Sequence, residues 1–201
     1  KLVAGFLLIA VLICGCEDDS GHDFGSNDPN VYVALGDSIT EGCALSETYP
    51  QKLAILLGSA VINEGEGGER SGGGAQRIDD VLATHKPGYL LVLYGANDII
   101  FGFGADHITD NLRTIVEAAK ANKTRVVLAT LTPASDYHSY MNYYMADVNP
   151  AIRELADEQN VPLADLDEAF AGNTSYLSSD GLHLSDSGAQ LMAETFYNAL
   201  D

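Results

Sequence analysis

The sequence predicts an α/β domain built on a parallel sheet with helices on both faces. Three observations predict it. From position 31 onward, short apolar runs alternate with longer amphipathic ones. Residues 89–94 (YLLVLY) are apolar without a break, the pattern of a central strand buried on both faces. Polar, glycine-bearing segments follow directly on three of the runs, and ligands of such sheets bind outside the carboxyl ends of the strands. The 201 residues suffice for one such domain with its own core.

In chain order, residues 31–35 read as a first strand ending at Gly36, and 49–57 as a helix with Leu53, Leu56 and Leu57 on one side. Residues 60–62 make a short second strand. Residues 71–84 carry Ile78, Val81 and Leu82 at helical spacing. The central strand comes next, then the clearest helix, 106–121, with Ile108, Leu112, Ile115, Val116 and Ala119 on one face. Residues 124–131 form another buried strand. Residues 143–159 read as a helix that Pro150 breaks or kinks. A short strand at 161–164 and a helix at 187–200 complete the alternation, which implies parallel pairing through crossover helices.

Ahead of this domain, residues 1–16 (KLVAGFLLIAVLICGC) show the charge-then-apolar layout of a secretory signal, shorter than the roughly 20 residues of a membrane span. The segment Ile13-Cys14-Gly15-Cys16 resembles a bacterial lipobox, with Cys16, preceded by glycine, as the lipidated residue; Ile13 stands where leucine is usual. A cleaved signal and a retained anchor are the other two readings. Residues 17–30 (EDDSGHDFGSNDPN) hold one apolar side chain, Phe24, and read as an acidic tether leading to a domain at 31–201. Asp18, Asp19, His22 and Asp23 fit no EF-hand spacing, and Cys14, Cys16 and Cys43 match no zinc pattern, so no metal is expected. With 29 acidic and 10 basic side chains the formal net charge is -19, which repels nucleic-acid phosphates and argues against nucleic-acid binding. The expected location is extracytoplasmic, either anchored in a bacterial envelope or secreted.

Four motifs carry chemistry. Gly36-Asp37-Ser38-Ile39-Thr40 puts a serine on a strand-to-helix turn, where its own N–H can face an anion beside the hydroxyl; an N-cap turn explains the same residues. Asn63-Glu64-Gly65-Glu66-Gly67-Gly68-Glu69-Arg70 follows the second strand. Its glycines let the backbone approach a substrate and free the Gly68 N–H to donate, or they make a merely flexible loop. No P-loop or dinucleotide register is present. Gly95-Ala96-Asn97-Asp98 follows the central strand and offers the Asn97 amide as a neutral donor, or a turn residue. Asp180-Gly181-Leu182-His183 places a carboxylate three residues before a histidine, the usual base for activating a serine. His22, His85, His107 and His138 lack such a setting and read as surface residues.

In this order, each at the expected end of a strand, the four motifs resemble the SGNH hydrolases, also called the GDSL lipases and esterases. The resemblance covers residues 31–200. It implies a flavodoxin-like three-layer α/β/α fold around a mostly parallel five-stranded sheet. It implies a serine ester hydrolase with Ser38 as nucleophile, His183 as general base and Asp180 as its partner. An oxyanion hole would come from the Ser38 N–H, the Gly68 N–H and the Asn97 side chain, and no cofactor is needed. Asn63, Gly65 and Gly68 match the family's Asn-x-Gly-x-x-Gly block. Expected substrates are a small ester, an acylated carbohydrate or a lysophospholipid, with membrane contact only through the N-terminal segment. Tyr137, Tyr140, Tyr143 and Tyr144 follow the fourth strand and would border the pocket or form a packed corner. The rival is a catalytically silent carbohydrate- or lipid-binding envelope protein on the same fold.

Overall fold

The computed structural model describes residues 21–43 and 45–200; Cys16 and most of the segment before the domain lie outside them. Among the described residues a single sheet contains β1 (Asp28–Gly36), β2 (Val61–Gly65), β3 (Pro87–Leu93), β4 (Arg125–Ala129) and β5 (Leu163–Ala164). The spatial order is β2-β1-β3-β4-β5, and every pairing is parallel. All seven residues of β3 are buried, as its uninterrupted apolar run requires of a strand with neighbours on both edges and helices on both faces.

The helices are α1 (Ser38–Glu41), α2 (Tyr49–Leu57), α3 (Ser71–His85), α4 (Ala96–Ile100), α5 (Ala105–Ala121), α6 (Met141–Gln159), α7 (Leu166–Phe170) and α8 (Asp186–Leu200). The crossovers between parallel strands sort them into two layers. One contains α2 packed on α8, with Tyr49 and Phe196 stacked at 5.2 Å; the other is a row in which α5 lies against both α3 and α6. The five apolar residues expected on one face of α5 are the ones it buries. No helix among the described residues is long and apolar enough to cross a membrane.

Several local expectations give way. Leu53 is buried, but Leu56 turns outward, 37% exposed, because α2 meets α8 through Tyr49 and Leu53, one turn apart. Pro150 neither ends nor divides α6. Its ring removes the donor for the Ala146 carbonyl, yet Ala146 and Pro150 both face solvent, where water can replace the lost bond. β1 begins at Asp28, inside the stretch read as a tether, with Asp28 in register with Pro87. Phe24 lies 5.6 Å from the Tyr89 ring, and Asn27 donates to the Asn122 carbonyl. One aromatic and one amide thus dock a segment whose composition alone suggested none of it.

The strand order reverses direction between β1 and β3, since β2 lies to one side of β1 and β4 to the other side of β3. That switch point opens a crevice at the carboxyl ends of the strands. Ser38 directly follows β1 and Asn97 closely follows β3, so the fold itself brings these two motifs to the crevice.

Candidate active site

Ser38 opens α1, with Asp37 as its N-cap accepting from the Ile39 N–H at 2.9 Å. This tight turn depends on Gly36, where a Cβ would stand 2.7 Å from the Leu93 carbonyl oxygen. The Ser38 hydroxyl is 2.8 Å from His183 Nε2, and His183 Nδ1 is 2.6 Å from Asp180 Oδ2. The structure therefore brings these three predicted residues into one hydrogen-bonded chain.

The loop carrying Asp180 and His183 is a small closed hairpin. A bridge pairs Leu177 with Leu184, and the Ser178 N–H donates to the His183 carbonyl at 2.7 Å. Gly181, at φ +73°, turns the loop and packs against the Ser135 backbone, leaving no room for a side chain. Asp180 Oδ1 accepts from the N–H groups of Leu182 and His183, each at 2.9 Å, and from the Ser178 hydroxyl at 2.8 Å. Partial burial works against the Asp180 carboxylate, but the His183 bond and these three donors outweigh it, holding its pKa far below the usual carboxylate range. An ionised Asp180 keeps the proton on Nδ1, which leaves Nε2 as an acceptor for the Ser38 hydroxyl.

Gly68 lies on the loop after β2, and Asn97 lies in α4, just after β3. Gly68 is exposed and sits at φ +78°, in the left-handed region that favours glycine. Neither its N–H nor that of Ser38 meets an acceptor among the described residues. The Asn97 amide is engaged: Nδ2 donates to Asp37 Oδ2 at 3.2 Å and to the Glu69 carbonyl at 3.0 Å. Asp37 is fully buried, and desolvation pushes its carboxyl up to about 7 despite the Ile39 N–H and the nearby His183, which favour the ionised form.

A cluster behind the Gly68 loop was not foreseen from sequence. Arg77 Nη2 donates to Glu69 Oε2 at 2.8 Å, to the Glu64 carbonyl at 2.6 Å and to the Tyr94 hydroxyl at 3.1 Å, while Nη1 reaches Glu64 Oε2 at 3.0 Å. The Tyr94 hydroxyl also donates to Glu69. Gly74 admits the Tyr94 ring, since a Cβ there would be 2.5 Å from it. The cluster anchors both ends of the β2–α3 loop. His85, read as a surface residue, is partly buried and bonds Glu64 at 2.7 Å. His138 is also drawn in, its Nδ1 3.0 Å from the Asp180 carbonyl oxygen. Tyr137, Tyr140, Tyr143 and Tyr144 are all exposed, so they form no packed corner.

The sequence and fold of the chain match known proteins of one kind. Residues 34–191 match the GDSL-like Lipase/Acylhydrolase family. The chain belongs to that family. An arylesterase of Vibrio mimicus is 28% identical over 158 residues, covering 75% of this chain and 78% of that protein. The thioesterase 1/protease 1/lysophospholipase L1 of Escherichia coli K12 is 28% identical over 157 residues, covering 75% and 74%. A solved lipase/acylhydrolase from Enterococcus faecalis superposes with a TM-score of 0.73 at 25% identity, covering 84% of this chain and 93% of that one. As a GDSL-like acylhydrolase, this protein is a carboxylic ester hydrolase on a parallel five-stranded α/β fold.

Proposed function

We propose that this acylhydrolase works through an acyl-enzyme formed on Ser38. The observation that carries the reading is the unbroken run of hydrogen bonds from the Ser38 hydroxyl through His183 to Asp180. His183 Nε2 takes the hydroxyl proton as Oγ attacks the ester carbonyl, and Asp180 stabilises the resulting imidazolium. The oxyanion is held by the Ser38 and Gly68 N–H groups and by the Asn97 amide, which shares or gives up one of its present bonds to do so. His183 then returns the proton to the departing alcohol. Water, deprotonated by the same histidine, attacks the acyl-enzyme, and Ser38 regains its proton as the acid leaves.

The substrate is a small ester, an acylated carbohydrate or a lysophospholipid. Two relatives named an arylesterase and a thioesterase/lysophospholipase support an ester as the reacting group. A silent binding role finds less support, because a decayed site has no need to keep three groups in hydrogen-bond register. The residue types at 1–16 support export and lipidation at Cys16, for which mass spectrometry of the native protein is the test.

Hydrolysis of 4-nitrophenyl acetate tests the catalytic reading. Wild type should turn over with a burst of 4-nitrophenol equal to the enzyme present, and Ser38→Ala should do neither. Equal turnover by the two proteins would reject it.

A further inference from the structure

We propose that Arg70 binds an anionic group of the substrate, so that the preferred esters carry a negative charge close to the scissile bond. The proposal deepens the ester-hydrolase reading and rests on it for the nature of the bound molecule.

A cleft of about 420 Å³ opens directly beside Gly68, lined by Gly68, Arg70, Gly72, Gly73, Gln76 and His107. That volume suits a small organic ligand. Arg70 is exposed, and its guanidinium carbon lies over two aromatic rings, 5.1 Å from the centre of Phe101 and 5.3 Å from that of Phe103. Phe103 is itself stacked on His107 at 4.2 Å. The two rings hold the guanidinium by cation–π attraction, and no hydrogen-bond acceptor among the described residues occupies its N–H donors.

No carboxylate neutralises the Arg70 guanidinium. In a chain of net charge -19, Lys52, Arg77, Arg113, Lys123 and Arg153 hold carboxylates, whereas Arg70, like Lys86, Lys120 and Arg125, forms no ion pair among the described residues; of these four, Arg70 is the one that lines the cleft beside Gly68. Glu69, the acidic neighbour in the cleft wall, is taken up by Arg77 and Tyr94 and does not neutralise it. A preoriented, unpaired guanidinium at the lip of a polar cleft recognises a carboxylate or phosphate in a bidentate manner. Gly68, the proposed oxyanion donor, lines the same cleft, so the anion site and that donor share one loop.

Binding and hydrolysis are separated by titrating Ser38→Ala with matched pairs. The first pair is 4-nitrophenyl hydrogen succinate and its methyl ester, charged and neutral on the acyl side. The second is 3-acetoxybenzoate and 3-acetoxybenzamide, charged and neutral on the alcohol side. In at least one pair the anion should bind roughly tenfold tighter, as expected for one charge-assisted bidentate contact. Ser38→Ala/Arg70→Gln should abolish that preference, and Ser38→Ala/Arg70→Lys should keep part of it. No preference in either pair, or one that survives Arg70→Gln, overturns the proposal. Turnover of the same esters by wild type is read in parallel. A binding preference without turnover would count against the ester-hydrolase reading and leave the anion site standing.

Discussion

The side-chain amide of Asn97 donates to the backbone carbonyl of Glu69 at 3.0 Å, tying α4 to the loop after β2. The same nitrogen reaches the buried Asp37 carboxylate, one residue before Ser38. One side chain therefore cross-links the three segments that carry the proposed oxyanion donors.

Asn97→Ala should fold and unfold cooperatively yet lose about 10²–10³ in turnover of 4-nitrophenyl acetate, the usual cost of one oxyanion donor. Thermal unfolding, followed beside the kinetics, separates loss of rate from loss of fold. Turnover at the wild-type level would remove Asn97 from the site.

Arg77 holds together the carboxylates of Glu64 and Glu69 with its own side chain only 16% exposed. Replacing it with leucine leaves these acids facing one another without a cation. Arg77→Leu should cost roughly 3–5 kcal/mol in urea unfolding, as expected when one partner of a largely buried ion pair is removed. A loss within the range of ordinary surface substitutions would show that the cluster is not a structural anchor.

Asp37 gives stability a defined dependence on pH. Burial raises its folded-state pKa from 3.8 to about 7, so its contribution is fully present below the ordinary value and is lost as pH rises to the folded one. The unfolding free energy of wild type minus that of Asp37→Asn should therefore fall from about pH 4 to about pH 7 and then level off. Asp180 runs the other way: its folded value is depressed, so its contribution is present above 3.8 and is lost on further acidification. Urea titrations between about pH 4 and 8 isolate the Asp37 effect, and a flat difference curve would contradict it.

The sheet and the reacting groups were legible in the sequence because both rest on local pattern. β3 is a continuous apolar run, α5 repeats its apolar residues at helical spacing, and Asp180 and His183 share one short loop. What stayed hidden depends on residues far apart in the chain. Glu69, Arg77 and Tyr94 meet only once β2, α3 and β3 are packed, and no spacing announces a polar cluster of that kind. Leu56 looked like part of one apolar face with Leu53 and Leu57, but only Leu53 and Leu57 turn to the core, because the position of α8 decides which side of α2 is covered. No spacing in the sequence pairs Arg70 with Phe101 and Phe103, far along the chain, whose rings lie under its guanidinium.

Intact-mass analysis after exposure to a fluorophosphonate tests the central claim most directly, with wild type and Ser38→Ala treated side by side. The account predicts one adduct on wild type, mapped to Ser38, and none on the variant. An unlabelled, well-folded wild type, or equal labelling of both proteins, would contradict an activated serine at this position.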